Sequence, residues 1–184
     1  VPDPYVPREF QVVRSLPVGR HTLLEGFPNA DRLPIASRIE PDPVARERLM
    51  RETQIQVVEE RIWMYVAPRE LPPGRPPGWN PVVADMDCIV IGRKHLQKSP
   101  AIMLFMDIFH ELCHVKQRRE GANLFDRNVS YVDRWTEIEA YRVVVEEACR
   151  LGVPDEFLRE YLRVEWISKE EHRRLLERLG VPAG

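Results

Sequence analysis

The sequence predicts an α+β fold, with a small mixed sheet packed against a central helix and further helices toward the C-terminus. Three observations carry that expectation. Residues 54–66 and 82–92 are rich in Ile and Val, with Trp and Tyr in the first run, and read as strands. From residue 99 onward the apolar positions recur at helical spacing, between start and stop signals. Eight of the 17 prolines fall within residues 1–43, which excludes long helices and central strands there.

Taken in order, residues 1–43 are expected to form a proline-rich N-terminal arm. It is extended, with short strands such as Phe10-Gln11-Val12-Val13, and Leu23, Leu24, Phe27 and Ile35 are its apolar material. Residues 44–184 form the main domain. Asp42-Pro43 is a start signal for a helix over 44–53. Residues 54–66 read as one long strand or a bent pair. The segment RELPPGRPPGWNP (69–81) is a loop by its Pro and Gly content, and the next strand covers 82–92. Ser99 as cap and Pro100 as first helical residue open a helix that runs to about Arg119. A loop over 121–132 follows. Asp133 is expected to cap a helix over 134–151, which Gly152 ends, and 154–164 is helical. Ser168 and Glu171 form a capping box for the last helix, which Gly180 closes.

A chain of 184 residues suits one domain with an appendage and can bury a core without staples. A net charge of −2 gives no reason to expect nucleic acid or an anionic membrane as partner. The longest apolar run, 101–109, is interrupted by Asp107 and is too short to span a bilayer. No basic segment followed by an apolar stretch opens the sequence, so no secretion signal is expected. The three cysteines, Cys88, Cys113 and Cys149, are odd in number and widely spaced. They read as reduced thiols, and the expected compartment is the cytoplasm.

The stretch with the most chemical content is His110-Glu111-Leu112-Cys113-His114. Residues four apart face the same way on a helix, so His110 and His114 can chelate one ion. Glu111 lies at the edge of that face, within reach of a water on the ion. Two histidines on zinc with a glutamate as general base is the arrangement that hydrolyses peptide bonds. The metal acidifies the water, Glu111 takes its proton, and the leaving amine later receives it.

A catalytic zinc needs a third protein ligand. A third histidine soon after the motif is ruled out, because Gln117 and Glu120 stand at the required positions. Cys88 reads better as a strand residue, and His95 as part of a surface loop. The segment DRWTEIEAYRVVVEEA (133–148) offers Glu137 and Glu139, about 200° apart on a helix, so only one of them can face the ion. Glu146 and Glu147 read as solvated charges.

HELCH followed by EIEAY resembles the gluzincins, zinc peptidases with two motif histidines and a later glutamate. The likeness is greatest to the minimal gluzincins and the ImmA/IrrE group, and it covers about residues 82–150. It implies a zincin-like fold and a Zn2+ ion. In those proteins the glutamate three residues before an alanine is the metal ligand, so the resemblance selects Glu137, three before Ala140. The residue after that alanine is Asn or Asp in the family, whereas here it is Tyr141. Tyr141 can support a ligand or stabilise an oxyanion. Asp107, one turn before His110, can instead orient a histidine.

The expected activity is cleavage of a protein or peptide substrate by metal-activated water, with Glu111 as base and Tyr141 assisting. The alternative is a non-catalytic, zinc-stabilised binding or regulatory domain on the same scaffold. Substrate is expected to add to an exposed sheet edge, for which the strand over 82–92 is the candidate. The arm or the last helix is expected to cover the cleft.

Overall fold

In the computed structural model, residues 3–67 and 87–184 are described. The loop expected over 69–81 and the first residues of the strand expected over 82–92 lie outside them. Four strands form one mixed sheet, and eight α-helices surround it among the described residues. The strands are β1 (Gly19–Thr22), β2 (Gln54–Val58), β3 (Met64–Val66) and β4 (Cys88–Gly92). The helices are α1 (Leu23–Gly26), α2 (Pro34–Ile39), α3 (Pro43–Glu52), α4 (Arg93–Lys98), α5 (Ala101–Arg119), α6 (Trp135–Arg150), α7 (Asp155–Tyr161) and α8 (Lys169–Leu179).

The run 54–66 is the bent pair, but its halves do not pair with each other. The sheet order is β1-β2-β4-β3, so β4 inserts between them. It runs parallel to β2, with Ile55 opposite Ile89, and antiparallel to β3, with Met64 opposite Ile91. This corrects the expectation that β4 is the exposed edge. All five of its residues are buried, and Cys-Ile-Val-Ile has no polar face to offer water. Ile89 and Ile91 enter the main core, while Cys88 and Val90 pack on the other face with Ala67. Among the described residues, the edge beside α5 is therefore the short strand β3.

Residues 10–13 form no strand. Phe10 is buried instead, with its ring 6.0 Å from Phe27 and 5.2 Å from Phe105. Burying an aromatic side chain outweighs the few ladder bonds available to a strand flanked by prolines. Leu23, Phe27 and Ile35 are also buried, and β1 pairs with β2.

Several caps differ from the sequence reading. Asp42 does cap α3, accepting from the N–H groups of Val44 and Ala45. Ser99, however, ends the unforeseen helix α4, its hydroxyl 2.8 Å from His95 Nδ1, and α5 starts at Ala101. Asp133 does not cap α6, because its carboxylate accepts from Arg174 and Arg178 and ties α8 to the turn before α6. Glu147 is not solvated. It is buried between Arg38 and Arg150, since α2 packs where open solvent was expected. Gly152 (φ 80°) and Gly180 (φ 68°) take the left-handed conformation just past α6 and α8, as expected. The Ser168–Glu171 capping box is present.

Helix α5 is the centre of the molecule, in contact with β3, α2 and α6. Phe105, Met106, Ile108, Phe109, Leu112 and Val115 are all fully buried. No described helix is long and apolar enough to cross a membrane. Because Phe105 touches both Phe10 and Phe109, Phe105→Ala should destabilise the fold by about 3–5 kcal/mol. The shift in urea midpoint measures it, and a change below about 1 kcal/mol would mean the cluster is not the core described.

Candidate metal centre

Helices α5 and α6 pack side by side, and their contact brings His110, His114 and Glu137 together. All three are buried. The two Nε2 atoms stand 3.0 Å apart, and Glu137 Oε2 is 3.4 Å from His110 Nε2 and 3.3 Å from His114 Nε2. Ligand atoms held about 2.0–2.1 Å from a tetrahedral ion are roughly 3.3 Å from one another. The cluster thus has the spacing of three corners of a coordination tetrahedron, and it can hold a metal ion.

The tautomer of His114 follows from its neighbour. Gln117 Nε2 donates to the Thr136 carbonyl at 2.9 Å and to Glu139 Oε2 at 2.7 Å. Its Oε1 therefore faces His114 Nδ1 at 2.8 Å, and that nitrogen must be the N–H. The lone pair of His114 is left on Nε2, directed at the cluster. Gln117 entered the sequence reading only as a residue that breaks another pattern. Its place one turn after His114 was the available signal, and the role is plain only once α6 supplies Thr136 and Glu139. Glu139 thus reaches the cluster through Gln117, while Glu137 meets the imidazoles directly.

His110 is oriented differently. Its Nδ1 is buried with no hydrogen-bond partner among the described residues, and its ring is held by packing 4.3 Å from the Tyr141 ring. The Tyr141 hydroxyl meets the Tyr131 hydroxyl at 2.8 Å, and both residues line the cavity.

The cluster's electrostatics show what a cation would replace. Burial opposes charge on His114, yet the hydrogen bond and charge of Glu137 raise its pKa to about 9. Burial likewise opposes ionisation of Glu137, but its bonds to both histidines hold it well below the usual carboxylate range. His110 is pushed down, chiefly by burial. Without an ion, the extra proton resides on His114 and is shared with Glu137 through their contact, and a cation in its place can meet all three side chains.

Glu111 and Tyr141 line one cavity of about 1050 Å³ together with the three clustered residues. Burial raises the Glu111 pKa to about 8, partly countered by the charge of His114 and a hydrogen bond from the Val66 backbone. Asp107 does not orient a clustered histidine. It binds His95 Nε2 at 2.7 Å, and His95 is buried in α4 rather than lying on a surface loop. The unforeseen helix α4 turns that ring inward, where Ser99 and Asp107 occupy both of its nitrogens. Cys113 is buried and Cys88 lies in the sheet, and neither joins the cluster.

Compared with known proteins, the chain matches no family model, no curated sequence and no solved structure.

Two outcomes follow from this geometry. Gln117→Leu should weaken Zn2+ or Co2+ binding by about 10–100-fold with unchanged circular dichroism, because the His114 tautomer is no longer set. Chelator competition measures it. Metal binding must also expel the shared proton. Apparent affinity should therefore rise with pH by up to about tenfold per unit toward pH 9, and fall as acid restores the proton. Calorimetry in buffers of different ionisation heat should find about one proton released per ion at pH 7.

Proposed function

We propose that this chain is a zinc-dependent peptidase of the gluzincin type, hydrolysing peptide bonds in a protein or peptide substrate. The observation that carries the reading is the convergence of His110, His114 and Glu137 at 3.0–3.4 Å on a cavity that Glu111 also lines. Two imidazoles and one carboxylate suit zinc, and three protein ligands leave a coordination position for solvent, as in catalytic sites. When bound there, zinc supplies Lewis-acid polarisation of the substrate carbonyl and acidification of a water.

The chain's own groups supply the rest. Glu111 is the general base. A carboxyl whose proton affinity has been raised toward neutrality can take a proton from water and return it to the leaving amine. Tyr131 and Tyr141 share one hydrogen bond between two hydroxyls, so one O–H of the pair remains to donate to a developing oxyanion. The edge strand β3 borders the cavity through Met64, Tyr65 and Val66. An extended peptide laid along it would meet main-chain hydrogen-bonding groups beside the cluster. An antiparallel edge strand on the motif helix, followed by a second ligand-bearing helix, supports the zincin-like reading of the fold. Residues 164–169 and His172 also line the cavity, which agrees with partial cover by the C-terminal segment. All three cysteines are free thiols, in keeping with the cytoplasm as the working compartment.

The test is metal content and proteolysis measured on the same proteins. Wild type should bind one zinc and cleave a denatured protein. His110→Ala should lose the metal. Glu111→Gln should keep it and lose at least about 100-fold in cleavage rate. Equal zinc in wild type and His110→Ala would remove the site. Zinc-loaded wild type that cleaves nothing would leave the non-catalytic binding domain as the better account.

A further inference from the structure

Successive turns of α6 present a stripe to the cavity: Arg134 at its N-terminal boundary, then Glu137, then Tyr141. Glu137 belongs to the metal cluster and Tyr141 packs on His110. Arg134 has no such commitment. Its Nε donates to the Val129 carbonyl at 3.3 Å, and its guanidinium carbon lies 5.9 Å from the centre of the Tyr131 ring. Neither of its terminal nitrogens has a hydrogen-bond or ion-pair partner among the described residues. The half-buried guanidinium is thus anchored by one corner, with its outer fork unused.

The cavity's own carboxylates do not fill that fork. Asp107, Glu111, Glu137, Glu160 and Glu165 all line the cavity, and none of them makes a hydrogen bond or ion pair with Arg134: Asp107 is held by His95, Glu137 by the imidazoles, and Glu160 lies 3.7 Å from Arg163. The setting strengthens whatever Arg134 does bind. Six large apolar side chains are exposed among the described residues, and three of them, Trp63, Phe125 and Trp166, line this one cavity. An aromatic rim lowers the effective dielectric around a charge pair and seats apolar parts of a peptide. A planar guanidinium fork matches a carboxylate through two parallel hydrogen bonds.

From these observations, and resting on the peptidase reading above, we propose that Arg134 anchors substrate by gripping a carboxylate of the bound peptide. That carboxylate is supplied by an acidic side chain or by the free C-terminus. Arg134 is a specificity residue that touches substrate away from the scissile bond, and the enzyme selects peptides carrying an acid at a fixed distance from the cleaved position.

The test uses synthetic decapeptides in three matched forms. One has a single internal Asp or Glu and an amidated C-terminus, one has the corresponding Asn or Gln with a free C-terminus, and one has Asn or Gln with an amidated C-terminus. Cleavage by the zinc-loaded full chain is followed by mass spectrometry. Binding to zinc-loaded Glu111→Gln is followed by tryptophan fluorescence. One of the two carboxylate-bearing forms should be favoured by about 10–100-fold over the uncharged form, and which one identifies the source. Arg134→Gln should abolish the preference while leaving turnover of the uncharged form within a few-fold of wild type. Arg134→Lys, which keeps the charge without the fork, should retain a reduced preference. Carboxylate-dependent binding without any cleavage would uphold the anchor and sink the peptidase. Cleavage or binding with no carboxylate preference in the wild-type background, or a preference that survives Arg134→Gln, would overturn the anchor whatever becomes of the peptidase.

Discussion

Two imidazole nitrogens on the central helix α5 face each other at 3.0 Å in a buried place, and the surrounding elements are arranged around that constraint. Lone pairs cannot be left so close in a buried place without something positive between them. Glu137 supplies the negative charge that makes a positive occupant favourable, whether proton or metal ion. Its carboxylate would itself be costly in the core were the histidines not there. Each member of the cluster is tolerable only because the other two are present.

Orientation is secured by two different means. A hydrogen-bond chain running from α6 through Gln117 sets the His114 ring, and its polarity is dictated by two acceptors on one amide nitrogen. Aromatic packing sets the His110 ring. The first means can be read in terms of protons and the second only in terms of shape. Both depend on α6 lying against α5, so the helix that brings the third donor also positions the first two. The sheet enters through β3, whose Val66 backbone hydrogen-bonds Glu111 and whose residues line the cavity.

The N-terminal prolines do not keep that part of the chain away from the body. Helices of four and six residues fit between them, and Phe10, Phe27 and Ile35 close the core beneath α5. On the other flank, Asp133 accepts from Arg174 and Arg178, joining α8 to the turn that leads into α6. That ion pairing places the C-terminal segment along the cavity, where Trp166 meets the Tyr131 ring edge-on at 5.5 Å.

What the sequence determined by itself is local in character. Helical spacing put His110 and His114 on one face, the segment 133–148 offered the carboxylates, and glycines and a capping box marked the ends of α6 and α8. These follow from backbone geometry over a few residues, which the order of side chains dictates. The tertiary structure decided everything that depends on which surfaces meet. It placed β4 inside the sheet, between β2 and β3, and left β3 at the edge among the described residues, because a strand with two apolar faces must be covered on both. It turned His95 inward, took Ser99 and Asp133 away from their expected capping duties, and buried Glu147 between arginines from two helices. It also gave Gln117 its role and left Arg134 facing the cavity. Polar side chains such as these can form several alternative bonds of similar strength, and only the neighbour that packing brings within about 3 Å settles which one is made.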